Sequence, residues 1–101
     1  MAAQTGQTEI IEKLLNDGFE VDSENKEAIT PLHIAVNYRN REAVKVLLEH
    51  NAAIEKTTKN GNTPLIIACQ LENKPIIDVL LENNANINAT NHEGQTPLLL
   101  I

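Results

Sequence analysis

Aromatic side chains are almost missing from this chain of 101 residues, in which Phe19 and Tyr38 are the only two. Apolar residues still make up 42% of the sequence, which is close to the norm for globular proteins. The core is therefore expected to be aliphatic, built from Leu, Ile, Val and Ala. The length leaves room for one compact domain or one short repeat array.

Cysteine and long apolar runs are scarce as well. The single cysteine, Cys69, excludes an internal disulfide framework and fits a reducing compartment. No apolar run approaches the roughly 18–20 residues needed to cross a bilayer, and the N-terminal MAAQTGQTEI lacks the apolar stretch of a signal peptide. We therefore expect an intracellular, cytoplasmic protein without membrane insertion.

Positive charge is in short supply. Lys and Arg number 8 against 14 Asp and Glu, which gives a formal net charge of −6. An acidic chain does not attract phosphate backbones, and this one offers neither a Lys/Arg cluster nor an aromatic platform for bases. Nucleic-acid binding is not expected.

What the sequence does contain is a repeat with a period of 33 residues. TPLHIA begins at Thr30, TPLIIA at Thr63 and TPLLLI at Thr96. A Leu-Leu pair recurs at the same interval, at residues 14–15, 47–48 and 80–81. Matches in so many columns at one spacing indicate structural units that stack into a solenoid.

Each unit is predicted to be a helix, a turn, a second helix and a loop. Thr before Pro starts a helix, because the hydroxyl caps a free N–H and Pro needs no donor there. First helices are thus expected over about Pro31–Tyr38 and Pro64–Leu71. The second helices carry an apolar stripe at i,i+4 spacing. They end where Gly or Asn enters the left-handed conformation cheaply, at Gly18, Asn51 and Asn84.

These segments resemble a known family. AITPLHIA, GNTPLIIA and GQTPLLLI, with the unit ends GFEVD, NAAIE and NANIN, resemble the ankyrin repeat over the whole chain. The resemblance implies an all-α solenoid of stacked helix-turn-helix units. It also implies β-hairpin-like loops that project to one side, and a concave surface formed by the loops and first helices.

The register divides this single ankyrin-repeat domain into a partial unit (1–24), two complete units (25–57 and 58–90) and a partial unit (91–101). Terminal units normally carry polar capping faces, whereas this chain ends on apolar residues. We therefore expect a piece of a longer array, with self-association through the exposed terminal units.

Some columns depart from the family pattern. Ala28 stands where a glycine is typical, and the glycine between the helices, present as Gly6, is replaced by Arg39 and Glu72. The motif histidine occurs only at His33. These departures are expected to lower local stability without changing the fold.

No catalytic constellation is recognisable. His33 is expected to hydrogen-bond the backbone near the loop, and Cys69 to be a small buried thiol. The lone serine, Ser23, has no histidine placed to activate it, and phosphate-loop and zinc-protease motifs are missing. We therefore expect a non-enzymatic protein without cofactor or bound metal.

The predicted site consists of variable, exposed columns, which the resemblance implies contact a protein partner. They are Lys26, Glu27, Ile29, Lys59, Asn60, Asn62, His92 and Glu93 on the loops, and Asn37, Tyr38, Gln70 and Leu71 at the ends of the first helices. Tyr38 and Leu71 share one column and are the strongest candidates, since Tyr is enriched among binding hot spots.

Two alternatives to a protein-binding module stay open. The chain would also fit a structural spacer in a longer ankyrin solenoid, or the substrate-recruiting domain of a multidomain enzyme. The resemblance further marks Asn88 for hydroxylation by an asparaginyl hydroxylase, because ankyrin repeats are substrates of such an enzyme at this loop asparagine. The plain alternative is that the Asn88 amide only braces the loop.

Overall fold

A computed structural model describes residues 20–100 of the chain. Over this range the elements are α1 (Pro31–Asn37), α2 (Arg41–Glu49), α3 (Pro64–Gln70), α4 (Lys74–Glu82) and α5 (Pro97–Leu100), with no strand between residues 20 and 100. The predicted all-α architecture is confirmed. The first Leu-Leu pair, Gly6, Gly18 and Ile101 lie outside the described residues.

The first helix of each unit starts at the predicted threonine. The Thr30 hydroxyl oxygen accepts the His33 N–H at 3.4 Å, and the Thr63 oxygen accepts the Ile66 N–H at 3.2 Å. Both helices end one residue earlier than expected. Tyr38 and Leu71 are their C-caps, and the residue after each has left-handed backbone, so the helix cannot continue. The Thr-Pro pair therefore fixes the start of α1 and α3 more sharply than the sequence fixes their ends.

The second helices begin at asparagines that the sequence analysis did not identify. Asn40 Oδ1 accepts the Ala43 N–H at 3.1 Å, and Asn73 Oδ1 accepts the Ile76 N–H at 3.3 Å. An asparagine at this position satisfies one of the free donors at a helix start. The turn between α1 and α2 thus has the C-cap of α1, Tyr38, at one end and the N-cap of α2, Asn40, at the other, and the two helices pack as a pair.

Stacking of one helix pair on the next creates the core. Helix α1 packs on α3, α2 on α4, and α3 on α5. The leucines of the repeat, Leu32, Leu47, Leu65 and Leu80, are each 1% exposed or less. Burial of such a side chain contributes about 1.5–3 kcal/mol, and here each is buried only because a neighbouring unit covers it.

Loops 25–29, 58–62 and 91–95 precede the first helices and close in the same way. In each, the first residue donates its N–H to the carbonyl of the fifth, at 3.0–3.1 Å, and accepts the N–H of the fourth. Adjacent loops are also joined, since the Lys59 N–H donates to the Glu27 carbonyl at 3.2 Å and the His92 N–H to the Asn60 carbonyl at 3.0 Å. These bonds make a hairpin-like wall.

Left-handed backbone occurs in the three columns where the family pattern has glycine. Ala28 has φ 60°, Arg39 61° and Glu72 56°, while Asn51 and Asn84 lie at 65° and 67° as predicted. For residues with a β-carbon this conformation costs roughly 1–2 kcal/mol. Ala28, Arg39 and Glu72 therefore carry local strain that glycine would relieve, as their departure from the pattern implied.

Gly61 and Gly94 form a matched pair for testing the wall. Both have positive φ, at 80° and 78°, but a β-carbon on Gly61 would lie 2.8 Å from His92 Cδ2, whereas one on Gly94 meets nothing within 4 Å. We expect Gly94→Ala to lower the free energy of unfolding by about 1–2 kcal/mol. Gly61→Ala should lower it further, because it also pushes the next loop away. Urea denaturation of the two variants measures the difference, and equal losses would contradict it.

Candidate partner-binding groove

A groove of about 460 Å³ lies on the face where the loops meet the first helices. Its floor is formed by Ile34 and Tyr38 from the α1 side and by Ile67 and Gln70 from α3. Tyr38 is 69% exposed and Ile34 45% exposed, although both are large and apolar. The groove thus presents apolar surface to solvent between two units.

The wall of the groove is the hairpin-like pair of loops 25–29 and 58–62. Asn25 holds the first loop, because its Oδ1 accepts the N–H groups of Glu27 and Ile29 at 2.8 and 3.1 Å. Thr58 does the same in the second loop, where its hydroxyl accepts the Asn62 N–H at 3.4 Å. Because both loops are closed internally and joined to each other, the wall is fixed before any partner binds.

Most of the predicted contact residues come together in this groove. Those that line it are Glu27, Ile29, Asn37, Tyr38, Lys59, Asn60, Asn62 and Gln70. They come from two loops and two helices, and the period of 33 residues brings them side by side.

The other predicted contact residues lie outside the groove. Lys26 is exposed on the first loop but does not line the groove, and Leu71 is half-buried at the end of α3. His92 and Glu93 are exposed on the third loop, beyond the second unit. Tyr38 and Leu71 share a column, but only Tyr38 faces the groove, because the two units offer that column different surroundings.

Sequence reasoning missed two isoleucines of the floor, Ile34 and Ile67. They occupy the variable fourth position after each Thr, inside the motif that otherwise specifies the core. Helical spacing was the available signal, since Ile34 lies three and four residues before Asn37 and Tyr38 and therefore shares their face.

A ladder of side-chain amides runs beneath the far end of the groove. Asn91, which is buried, donates from Nδ2 to Asn62 Oδ1 at 2.8 Å and to Gln95 Oε1 at 2.9 Å. Gln70 Nε2 donates to the same Gln95 oxygen at 3.1 Å. Two of the groove residues, Asn62 and Gln70, are therefore positioned by the third loop.

His33 ties α1 to the end of its own unit, at Lys56, just before the loop of the following unit. It is buried; its Nδ1 accepts the Thr30 N–H at 3.0 Å, so the proton is on Nε2, which donates to the Lys56 carbonyl at 2.8 Å. Burial lowers the pKa of His33, and the hydrogen bonds to Lys56 and Asn62 and the charge of Glu24 oppose this only in part. The predicted backbone role is confirmed, and the ring stays neutral at pH 7.

Nothing in the described part of the chain suggests a reactive centre. Cys69 is buried, and burial raises the pKa of its thiol, so it is a poor nucleophile. Between residues 20 and 100 no group of three His, Cys, Asp or Glu side chains could hold a metal ion. No helix in this range is long and apolar enough to cross a membrane.

Asn88 lies in an exposed turn at the end of the second unit. Its N–H donates to Asn86 Oδ1 at 2.9 Å. Elsewhere in this column the side chain joins consecutive units: Asp22 Oδ1 accepts the Ala53 N–H at 2.8 Å, and Glu55 Oε2 accepts the Asn86 N–H at 2.7 Å. The Asn88 side chain makes no hydrogen bond to another described residue.

Comparison with known proteins identifies the repeat. Residues 1–91 match the family model of ankyrin repeats, in three copies. This chain belongs to the ankyrin repeat family. Ankyrin repeats are generally protein–protein interaction modules and are typically non-enzymatic.

One relative of this chain carries the name of a putative ankyrin repeat protein of Fowlpox virus (strain NVSL). It is 42% identical over 45 residues, which is 45% of this chain. The match spans 32% of the length of the viral protein, so it supports the repeat and not a shared role for the whole proteins.

The stability of this ankyrin domain should depend on the charge of His33. The unfolded histidine titrates near pH 6.5, whereas the folded one has a lower pKa. The unfolded state therefore binds more protons below pH 6.5, and the contribution of His33 to stability is lost as the pH falls through this window.

Replacement by the residue of the next unit, His33→Ile, isolates the effect of His33. We expect the difference in unfolding free energy between the wild type and His33→Ile to shift in favour of the variant from pH 7.5 to pH 5, measured by urea denaturation. The other titrating groups cancel in this difference. A pH-independent difference would show that His33 is not buried in its neutral form.

Proposed function

We propose that this chain is a non-enzymatic protein-binding module that holds its partner in the groove between α1, α3 and the loops 25–29 and 58–62. The observation that carries the proposal is a solvent-exposed apolar floor, formed by Ile34 and Tyr38, beside a wall that is already closed by hydrogen bonds. Binding to a fixed wall loses little ordering entropy, so the apolar contact is available for affinity.

The remaining predicted residues extend this surface. Lys26, His92 and Glu93 are exposed on the loops and would contact those parts of a partner that reach past the groove. The lone buried thiol of Cys69 suits a reducing compartment, and we infer an intracellular protein that acts there. Contact between copies through the exposed Leu98 and Leu99 of α5 is part of the same proposal.

The test compares groove variants with a matched aliphatic control. Ile34→Ala and Tyr38→Ala remove exposed groove side chains, while Leu81→Ala removes a leucine of similar exposure, 38%, that does not line the groove. For a partner captured by the chain and then purified, we expect each groove variant to raise Kd at least about tenfold, as for a hot spot. Leu81→Ala should change it less than about twofold.

Thermal melts of the three variants are the control that tests whether each still folds. If neither groove variant weakens any partner of the full-length protein, the structural spacer is the better description. If the partner proves to be the substrate of an enzyme domain on the same polypeptide, the chain is a substrate-recruiting domain. Calorimetry with purified components distinguishes these outcomes.

Hydroxylation of Asn88 is proposed as a modification of the same module. Its exposed turn and the unoccupied side-chain amide support access by an asparaginyl hydroxylase. We expect a mass increase of one oxygen on the peptide containing Asn88 after incubation with such an enzyme, and none in the Asn88→Ala variant. Peptide mass spectrometry is the measurement. An unmodified Asn88 would contradict this proposal. The alternative that the amide braces the loop is not supported, because the side chain makes no hydrogen bond to another described residue.

A further inference from the structure

The groove carries hydrogen-bonding groups that no described residue satisfies. The side chains of Asn37 and Asn60 make no hydrogen bond to another described residue, and neither does the Tyr38 hydroxyl. Asn62 uses only its Oδ1 and Gln70 only its Nε2, so each keeps one polar group free. Together these residues offer both donors and acceptors, which is the complement of a peptide backbone.

Charge in the groove is balanced. Among residues 20–100, Glu27 and Lys59 are the only charged residues that line it once His33 is neutral. They lie on loops joined by the hydrogen bond from the Lys59 N–H to the Glu27 carbonyl. One negative and one positive charge leave the described lining without net charge. An acidic or a basic partner would therefore gain little electrostatic attraction here and would lose hydration.

The floor offers a place for one apolar side chain of a partner, between the isoleucines of the two units. Ile34 and Ile67 occupy the same column of consecutive repeats, and Ile29 lies beside them on the loop. A branched aliphatic side chain inserted there would bury apolar surface on both units. The exposed ring of Tyr38 lines the same groove.

We propose that the groove binds an extended, uncharged peptide segment of a partner protein. The segment inserts one aliphatic side chain between Ile34 and Ile67, and its backbone is hydrogen-bonded by Asn37, Asn62 and Gln70. This inference rests on the proposed function, since it specifies the partner chemistry of the same site. The peptide is expected to be neutral, because the described lining offers side-chain amides for hydrogen bonds and has no net charge.

A phage-displayed library of random linear dodecapeptides, selected on the immobilised chain 1–101, is the probe. We expect enriched peptides to lack Asp, Glu, Lys and Arg around a shared Ile, Leu, Val or Met. Synthetic copies should bind with a Kd that changes less than about twofold between about 50 and 500 mM NaCl, since screening does not weaken a neutral contact. Fluorescence anisotropy measures both.

Two variant pairs locate the bound peptide. Ile34→Ala should weaken binding at least about tenfold, while Leu81→Ala should not. Asn37→Asp should also weaken it, because it replaces a donor by a charge of the same shape. Its control, Asn86→Asp, adds the same charge outside the groove and keeps the oxygen that accepts the Asn88 N–H.

Several results would overturn the inference. These are enrichment of acidic or basic peptides, a Kd that weakens tenfold with salt, or a library that yields no groove-dependent peptide. Sedimentation in which Ile34→Ala converts a dimer to a monomer would instead assign the groove to a second copy of the chain. If a purified partner still needs Ile34 and Tyr38 while no neutral peptide binds, the proposed function stands and only the peptide chemistry fails.

Discussion

Every feature of this domain depends on the packing of one helix pair against the next. No unit can bury its own leucines, because a helix pair is only one layer thick. Leu32 and Leu65, on consecutive units, are both 1% exposed, and this burial requires α1 to lie on α3. Since the interface sets the spacing of the units, it also sets the width of the groove and the distance between the loops that form its wall.

Hydrogen bonds also fix the positions of the segments that connect the helices to the loops. Asp22 and Glu55 accept backbone N–H groups of the following unit. Within one unit, His33 donates to the carbonyl of Lys56 and so holds the segment that leads to the next loop. These bonds hold the segments that join each second helix to the next loop, where helix packing alone would leave the chain free to move. A wall fixed in this way restricts what can bind, since it cannot rearrange to pair an unsuitable charge. Under the proposed function, the same contacts that stabilise the stack would therefore contribute to selectivity.

The repeat made the fold predictable from the sequence. The residues that line the candidate groove were predictable only in part. Thr30 and Thr63 mark helix starts through a mechanism local to four residues, and Asn51 marks a helix end in the same way. Whether a variable side chain faces the groove depends instead on its neighbours in three dimensions. Leu71 shares the column of Tyr38 but is half-buried, and Ile34 lies inside a core motif but is 45% exposed. The repeat period and the helix propensities of the residues do not indicate which of these side chains is exposed.

Variation between the two complete units separates the residues that hold the stack from those available to a partner. The Thr, Pro and Leu of the motif are identical in both units, because each makes the same cap or the same core contact in every repeat. Among the groove columns, Ile34 and Ile67 are identical, but others differ: Asn37 is followed by Gln70, and Ile29 by Asn62. Stability restricts these positions little, since substitutions on a surface usually change the free energy of unfolding by less than about 0.5 kcal/mol. Stacking therefore leaves the groove free to vary while the scaffold is kept. Under the proposed function, the identity of the partner would be encoded in the side chains that contribute least to the fold.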